Sequence, residues 1–436
     1  MNKMLIVMGN HSPYPSSVAN CVKPLINKLR DKGFEIDIIT NRKKLQDLQK
    51  ECIGGLNIYR VDDTRAISNN ALRYLIQLEK NKKFNLLIKV MAVILKSLYF
   101  LKFVFFEKEQ QYGGWKIDST VKKCLELHNE KNYDVVLSIS QPFKSHFIVE
   151  EFLKQIDGPI RWFVFEFDPF SYNAEVTKSE SKRKSLFKDE YRIFNSCDGI
   201  FLTPELHKFY NKTPFKKFVD KMIPVPFANL EPISFEKSNV KKFPLMKDKI
   251  NCFFAGRLYR DIRNPKNLLN TFSKLDSNIH LTLMTNFDES MISRYNTNED
   301  TISLIPLQNR DTAINMMNEV NILVNIGNTV EFQVPGKIFE YMSTGKPIIH
   351  FSKLVEDPAL VYLKKYPLLF VVNEWEIDER DYTEALQNFC MENKDKKLTF
   401  QDVTKALVEF SGDRVSDEFS DTLISLLEAS RTYEQR

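Results

Sequence analysis

The stretch VPGKIFEYMSTGKPII, Val334 to Ile349, contains the start and the end of a short helix, followed by the first residues of a strand. Pro335 fits the first helical turn, where its missing N–H group has no partner in any case. Gly345 can adopt the left-handed conformation that ends a helix, and Pro347 prevents continuation. The apolar residues 348–351 then predict a buried strand. A short helix that leads into a buried strand is typical of parallel α/β proteins.

The beginning of this helix has the features of a phosphate site. A helix N-terminus presents unpaired N–H groups and a partial positive charge, both of which favour an anion. Gly336 and Lys337 lie in the first turn. Glu340 follows in the same helix, where its carboxylate can accept hydrogen bonds from a sugar ring attached to the phosphate. The helix therefore predicts a site for a diphosphate with a ribose, as a nucleotide sugar requires.

Bulk composition narrows the class of protein. At 436 residues the chain exceeds what one hydrophobic core usually supports, so two domains are expected. A net charge of +5 is small for this length and does not indicate nucleic acid as a partner. The six cysteines are dispersed without a C-x-x-C pair, which indicates reduced thiols rather than disulfides or structural zinc. The apolar run at residues 4–8 is too short for a signal peptide, so a cytoplasmic location is predicted.

Strand and helix patterns alternate from the first residues onward. Met4–Met8 reads as a strand, residues 17–32 as an amphipathic helix ended by Gly33, and Glu35–Thr40 as the next strand. This βαβ opening predicts a mostly parallel, doubly wound sheet. A second series of the same kind begins at Ile250–Gly256. Further strands are predicted at 135–139, 162–165, 199–202, 280–284, 302–306, 322–324 and 347–351.

Two such series predict an α/β protein with two Rossmann-like, doubly wound domains that face a cleft. We place the N-terminal domain at 1–228 and the C-terminal domain at 229–415. The proline-rich residues 222–226 are predicted to begin the connection between them. Residues 416–436 have helical periodicity, and we expect this last helix to pack back on the N-terminal domain.

One segment departs from this pattern. Residues 80–106 are almost entirely apolar residues and lysine apart from a few polar side chains, and the lysines are too frequent for a membrane span. One interpretation is a basic amphipathic helix that lies in an anionic membrane surface. The alternative is a long helix buried beneath its own domain. The sequence leaves both open.

Three stretches together resemble a known family. These are the opening strand and loop at 4–40, the donor-side pattern at 253–258 with 264–269, and the helix at 335–347. They resemble GT-B-fold glycosyltransferases, and most closely the retaining enzymes of glycosyltransferase family 4 that build bacterial surface polysaccharides such as capsule and lipopolysaccharide. The resemblance covers essentially the whole chain, and the third stretch is the most specific.

The resemblance implies an activity and its partners. The N-terminal domain would bind the acceptor and the C-terminal domain the nucleotide-sugar donor. The enzyme would transfer a sugar to a hydroxyl of a saccharide or a lipid-linked saccharide, with retention of the anomeric configuration and without a cofactor or a metal ion. It would work in the cytoplasm, at the inner face of the plasma membrane if residues 80–106 bind lipid.

Donor-binding residues are implied where the sequence matches the family pattern. Arg257, directly after Gly256, would hold the donor diphosphate and stabilise the charge that grows on the leaving group. A second cation a few residues later would help, and either Arg263 or Lys266 fits because the intervening loop is slightly longer than usual. Pro335, Gly336, Lys337 and Glu340 complete the donor set.

The family pairs two glutamates in this region, and the sequence matches only one of them. Glu340 corresponds to the second acid, which accepts hydrogen bonds from ribose hydroxyls. The spacing places the first acid at Phe332, and the nearest carboxylate is Glu331. Either the loop before the helix is shifted and Glu331 serves as a catalytic acid, or backbone amides contact the donor sugar instead.

The N-terminal domain offers weaker candidates. His11, Pro15 and Ser16 lie in the loop after the first strand and are predicted to face the acceptor. His146 is a candidate for orienting a hydroxyl or for acid–base catalysis. Asp168, which follows a strand, is a candidate carboxylate near the acceptor.

Two other functions fit the same fold. One is a nucleotide-sugar epimerase, which requires an acid–base pair across the cleft. The other is a non-catalytic subunit that binds sugar in an assembly. The incomplete glutamate pair keeps the second alternative open.

Overall fold

The computed structural model places the chain in two compact units. The N-terminal unit comprises Met1–Pro226 together with Asp417–Arg436, and the C-terminal unit comprises Phe227–Ser416. The structure describes residues 2–11, 16–63, 94, 115–173, 177, 179–227, 230–233, 245–259, 261–286 and 301–434.

In the described part of the N-terminal unit, eight strands form one sheet in the order β3-β4-β2-β1-β5-β6-β7-β8. The β3–β4 pair is antiparallel, and the other neighbours are parallel. The strands are β1 (Lys3–Met8), β2 (Glu35–Arg42), β3 (Lys50–Ile53), β4 (Leu56–Asp62), β5 (Val135–Ile139), β6 (Arg161–Glu166), β7 (Gly199–Leu202) and β8 (Met222–Pro224). The helices are α1 (Ser17–Asp31), α2 (Ile117–Lys131), α3 (Lys144–Leu153), α4 (Glu180–Ser196) and α5 (Pro204–Tyr210), with 3-10 turns at Phe170–Tyr172 and Pro214–Lys221.

The described part of the C-terminal unit contains a six-stranded sheet in the order β11-β10-β9-β12-β13-β14, and all of its neighbouring strands are parallel. The strands are β9 (Ile250–Ala255), β10 (Ile279–Thr285), β11 (Ile302–Pro306), β12 (Ile322–Ile326), β13 (Ile348–Ser352) and β14 (Leu369–Asn373). The helices are α6 (Lys266–Phe272), α7 (Arg310–Glu319), α8 (Lys337–Ser343), α9 (Ala359–Leu363), α10 (Thr383–Asn393) and α11 (Phe400–Ala406), with 3-10 turns at Glu374–Glu376 and Val408–Phe410.

Burial explains why these strands are nearly continuous apolar runs. Helices that cover both faces of a parallel sheet leave no solvent-facing side. Every residue of β5, β9 and β12 is accordingly buried. Two apolar clusters flank the C-terminal sheet, one of them built around Phe339 and Tyr341 of α8. The helix with the predicted phosphate site is therefore anchored by its own apolar face.

The last helix, α12 (Gly412–Glu434), returns the chain to the N-terminal unit. Phe419 packs against Phe165 and Phe201, with ring centroids 6.1 and 4.8 Å apart. Lys28 of α1 lies 2.7 Å from the carboxylate of Asp417. The helix predicted at 416–436 thus begins a few residues earlier and packs on the first sheet through its Asp417–Leu427 portion.

Three elements differ from the sequence prediction. Met222–Pro224, which was predicted to begin the interdomain connection, is the edge strand β8 and pairs with β7. A proline is tolerated there because an edge strand needs no further ladder bond. The β3–β4 hairpin and the short strand β14 were not predicted.

No helix among the described residues is long and apolar enough to cross a bilayer. The segment 80–106, with the exception of Ile94, lies outside the described residues.

Candidate functional site

The strand order of the C-terminal sheet identifies where a ligand is expected. From β9 the chain moves outward through β10 to β11, then crosses to the other side and continues through β12, β13 and β14. The direction of winding therefore reverses between β9 and β12. In open α/β sheets ligands bind outside the carboxyl ends of the strands at such a switch point.

The loops that follow β9 and β12 are hydrogen-bonded to each other. The Thr329 N–H donates to the Ile262 carbonyl at 3.0 Å, and the Thr329 hydroxyl donates to the Asp261 carbonyl at 2.9 Å. Within the first loop, Tyr259 and Arg263 pair in a two-way backbone bridge with N–O distances of 3.3 and 3.0 Å. These bonds fix the position of Arg263 at the switch point.

The Arg263 side chain is held by a buried asparagine. Its Nε and Nη2 atoms donate to Asn328 Oδ1 at 3.1 and 2.8 Å. Asn328 is 2% exposed and in turn donates to the backbone and side-chain oxygens of Gln333, both at 3.2 Å. Burial lowers the pKa of Arg263, but a guanidinium stays charged at neutral pH.

Gly256 leaves room beside this guanidinium. A Cβ atom at Gly256 would lie 3.8 Å from Arg263 Nη1 and 3.3 Å from the ring of Phe254. A larger side chain would therefore fill the space next to the cation. The Arg263 guanidinium and the backbone of residue 256 together form a positively charged corner.

Helix α8 supplies the second part of this corner. It begins at Lys337, with Gly336 as its N-cap and with no side chain capping its first amides. The Ile338 N–H bonds to the Pro335 carbonyl at 3.0 Å, so Pro335 and Gly336 form the initial turn. The first N–H groups of a helix have no partner inside the helix. Tyr341 ties α8 to the end of β9, because its hydroxyl accepts from the Ala255 N–H at 3.1 Å.

Lys337 adds a second cation near Arg263. Burial lowers the pKa of its ammonium, Glu340 opposes this, and Arg263 and Arg310 lower it further. Among the described residues Lys337 has no ion-pair partner within 4.0 Å. The positive charges at the beginning of α8 are therefore only partly compensated.

Glu340 is paired with an arginine that sequence reasoning missed. The Nε atom of Arg310 donates to Glu340 Oε1 at 2.9 Å, and Nη2 lies at 2.9 Å from the same oxygen. Arg310 is the first residue of α7, thirty positions before Glu340. No spacing rule connects residues so far apart, so only the fold could identify the pair. Asn328, which directly follows Gly327, was missed for the same reason.

The other predicted donor-side residues lie nearby in sequence but are more exposed. Arg257 follows Gly256 and is exposed, and Lys266 is the exposed first residue of α6. Glu331 is exposed in the loop between β12 and α8. Of the two alternatives for the second cation, Arg263 is the one that the β9 and β12 loops hold in place.

The N-terminal sheet has its own switch point between β1 and β5. A Cβ atom at Gly9, after β1, would lie 2.0 Å from Pro142 Cδ, after β5, so the two loops are in direct contact. Burial lowers the pKa of His11 to about 4, with further contributions from Arg60 and Lys23, so His11 is neutral at pH 7. Asp168, after β6, accepts a hydrogen bond from the amide of Gln141.

The two other predicted acceptor-side residues are Ser16 and Pro15. Ser16 is the N-cap of α1, and its hydroxyl accepts from the Ala19 N–H at 3.1 Å. Pro15 lies outside the described residues.

His146 lies in the core of the N-terminal unit. It has no exposed surface; Nδ1 is 2.7 Å from the Ser138 hydroxyl, and Nε2 is 2.8 Å from Glu166 Oε1. Burial lowers the pKa of His146 to about 3 and raises that of Glu166 well above its usual value. His146 is therefore neutral at pH 7, and burial favours the protonated form of Glu166. This position gives a substrate no direct access to the imidazole, and a catalytic role for His146 stays a prediction.

The burial of neutral His146 predicts a specific acid sensitivity. In the unfolded chain its pKa returns to about 6.5, whereas the folded value is about 3. Below about pH 6.5 the unfolded state then binds one more proton, and stability falls with falling pH by at most about 1.4 kcal/mol per pH unit. We expect urea unfolding between pH 6.5 and 4.5 to show a steeper loss for the wild type than for His146→Gln. Glu166 is present in both proteins, and parallel pH profiles would contradict the assignment.

Among the described residues no group of three or more histidine, cysteine or acidic side chains is placed to hold a metal ion. The six cysteines are free thiols, and Cys52 is the exposed one.

Comparison with known proteins identifies the fold. No protein-family model matches the sequence, and no curated protein matches it. Solved structures do match over nearly the whole chain. Sucrose-phosphate synthase from Thermosynechococcus elongatus has a TM-score of 0.64 at 12% identity, covering 98% of this chain and 100% of its own. The catalytic domain of starch synthase IV from Arabidopsis thaliana, bound to ADP and acarbose, has a TM-score of 0.58 at 10% identity, with coverages of 98% and 99%.

A third similar structure is the lipopolysaccharide outer core galactosyltransferase WaaB in its apo form. Its TM-score is 0.52 at 12% identity, and the match covers 97% of this chain and 99% of WaaB. At these identities the likeness establishes the fold alone. The predicted α/β class with two Rossmann-like units of GT-B type is confirmed.

Proposed function

We propose that the chain is a glycosyltransferase that moves a sugar from a nucleotide-sugar donor to a hydroxyl of its acceptor. The observation that carries this proposal is the site at the β9–β12 switch point. There Arg263, fixed by Asn328, lies beside Gly256, and α8 contributes Lys337, the backbone of its first turn and Glu340. This combination suits a diphosphate followed by a ribose.

The charges of this site match such a ligand. Arg263, Lys337 and Arg310 contribute three positive charges, and Glu340 contributes one negative charge. A diphosphate linked to a nucleoside and a sugar carries about two negative charges, and helix amides favour it further. In this proposal Arg257 and Lys266, which are exposed, reach the diphosphate from the same loop. Glu340 accepts hydrogen bonds from the ribose hydroxyls.

The chemistry follows from charge stabilisation. Breaking the sugar–phosphate bond leaves a nucleoside diphosphate with one more negative charge, and preorganised cations lower the barrier to that step. We further propose retention of configuration, in which the acceptor attacks on the face from which the diphosphate departs. A phosphate oxygen then accepts the acceptor's proton. This route needs no dedicated base and no metal ion or cofactor.

The acceptor and its setting are a further part of the proposal. His11, Ser16 and Asp168 are proposed to line the acceptor side, with Glu331 near the donor sugar. The likeness to a protein named as a lipopolysaccharide galactosyltransferase supports a saccharide or lipid-linked saccharide as acceptor, in cell-surface polysaccharide synthesis. A cytoplasmic location with contact to an anionic membrane through residues 80–106 is part of this proposal.

The first test is a ligand screen followed by a turnover assay. UDP-, GDP-, ADP- and CMP-linked sugars are added to the full chain, and we expect one base to raise the melting temperature. A ligand at about 100 times its dissociation constant stabilises by roughly 2.7 kcal/mol. The stabilising donor is then incubated with and without saccharide acceptors, and products are identified by mass spectrometry and NMR.

Each outcome of this assay separates the alternatives. Transfer to an acceptor with release of nucleoside diphosphate supports the proposal. A new nucleotide sugar formed without acceptor identifies an epimerase instead. Stabilisation without turnover on a broad acceptor panel identifies a binding subunit, and no stabilisation by any nucleotide sugar rejects the donor site itself.

A further inference from the structure

The contact between Arg310 and Glu340 has a particular geometry. Both the Nε and the Nη2 atom of Arg310 lie 2.9 Å from the same oxygen, Glu340 Oε1. Among the described residues, the Nε–H group of Arg310 donates the side-chain hydrogen bond that Glu340 receives. The second carboxylate oxygen, Oε2, therefore keeps its capacity to accept from a ligand.

The pair lies where a ligand can reach it. The side chain of Glu340 is 22% exposed and that of Arg310 is 56% exposed. Arg310 begins α7 and Glu340 lies in the first turn of α8, so the contact joins two helices at the carboxyl edge of the sheet. The Nε hydrogen bond and the Nη2 contact on the same oxygen restrain the carboxylate and also pair its charge.

We infer that Arg310 is a positioning residue for recognition of a nucleotide's ribose: it holds the Glu340 carboxylate so that Oε2 accepts from the ribose hydroxyls. This inference rests on the proposed function, in which Glu340 faces the ribose. It goes beyond that function by assigning a role to a residue outside the phosphate-binding loops.

Two physical effects make this role useful. A glutamate side chain has several rotatable bonds, and holding it in one rotamer before binding removes part of the entropic cost of binding. The carboxylate is also close to the place where the diphosphate is proposed to bind. The positive charge of Arg310 offsets the repulsion between these two anions.

The test compares ribose with deoxyribose. Dissociation constants of the nucleoside diphosphate that binds the wild type, and of its 2′-deoxy and 3′-deoxy counterparts, are measured by calorimetry. A hydrogen bond to a charged group that is lost at the ribose corresponds to a factor of about ten or more. We expect this preference for ribose in the wild type, a fall to about twofold in Arg310→Gln, and an intermediate value in Arg310→Lys.

Arg380→Gln is the matched control. Arg380 is an exposed arginine of the same unit that lies 3.9 Å from the carboxylate of Glu376. This variant is expected to keep the wild-type preference. Melting temperatures without ligand establish that each variant is folded.

The outcomes distinguish this inference from the proposed function. If Arg310→Gln weakens both nucleotides equally and leaves the ribose preference unchanged, Arg310 serves only as a charge and the inference is wrong. If the wild type binds the nucleotide without preferring ribose, the inference is also wrong, while the diphosphate site stands. If no nucleoside diphosphate binds the wild type, the proposed function itself fails.

Discussion

Replacement of Arg263 by methionine is expected to weaken binding of the cognate nucleoside diphosphate by about a hundredfold, which corresponds to about 2.7 kcal/mol. The guanidinium is the cation that the loops after β9 and β12 hold in place, through Asn328 and the Thr329 bonds. A cation fixed before the ligand arrives contributes more than a mobile one, because less side-chain freedom is lost on binding. Methionine keeps much of the apolar stem and removes the charge.

The variants Arg263→Lys and Lys266→Ala test two parts of this prediction, the geometry of the cation and its identity. Arg263→Lys keeps the charge but cannot reproduce the two bonds to Asn328, so an intermediate loss is expected. Lys266→Ala removes an exposed cation at the start of α6 and is expected to cost less than Arg263→Met. Calorimetric titration with nucleoside diphosphate measures all three.

Arg380→Met is the control for the loss of a cation in the same unit. It is expected to bind as the wild type does, since Arg380 pairs with Glu376. A larger effect of Lys266→Ala than of Arg263→Met would show that the assignment of the second donor cation to Arg263 is wrong.

The substitution Gly345→Ala is expected to produce the largest loss of stability. Gly345 has a φ of +76°, and a Cβ atom there would lie 2.0 Å from the carbonyl oxygen of Leu398. The left-handed backbone alone costs an L-residue about 1–2 kcal/mol. The overlap with backbone forces a further displacement that costs about 1–3 kcal/mol. Calorimetric melting of the full chain should show a melting temperature several degrees below that of the wild type.

Gly33→Ala separates the two contributions. Gly33 also ends a helix, at a φ of +91°, but a Cβ atom there would have nothing within 4 Å. This variant is expected to show the conformational cost without the overlap. Equal losses for the two variants would mean that the contact with Leu398 relaxes easily. Because Gly345 ends α8, its variant is also expected to bind nucleotide less well.

The helix at 337–343 illustrates what local sequence can predict. A proline at its start, a glycine with positive φ after its end and an apolar strand beyond are all local signals, and the structure has the helix and β13 in the predicted order. The alternating α/β pattern is likewise local, because strands buried on both faces are apolar throughout. These signals carried the fold class.

Elements that lack such signals were not predicted. β3 is a short strand with one partner and little burial, so it has no continuous apolar run. The glycine pair 54–55 in its turn was the available signal for a hairpin. β14 is only partly buried. Residues 369–372 are nevertheless an apolar run, so the sequence did contain a strand signal there that the prediction left unused.

The residues of the candidate site likewise divide into those with a local sequence signal and those that only the fold brings together. Gly256, Lys337 and Glu340 follow local motifs, and the sequence named them. Arg263 is proposed over Lys266 as the second cation because of the backbone bridge between Tyr259 and Arg263, a property of loop geometry that the sequence does not show. Arg310 joins the site through the sheet order, which brings the start of α7 next to α8.

The helix α12 has a practical consequence for anyone who divides this protein. Because residues from Asp417 onward belong with the first sheet, cutting the gene after residue 226 would strip Phe165 and Phe201 of a covering ring. Such a fragment would expose an aromatic surface that favours aggregation, and it is a poor choice for expression. Joining Asp417–Arg436 to the fragment through a flexible linker restores that cover. The N-terminal unit should therefore be expressed as Met1–Pro226 linked to Asp417–Arg436.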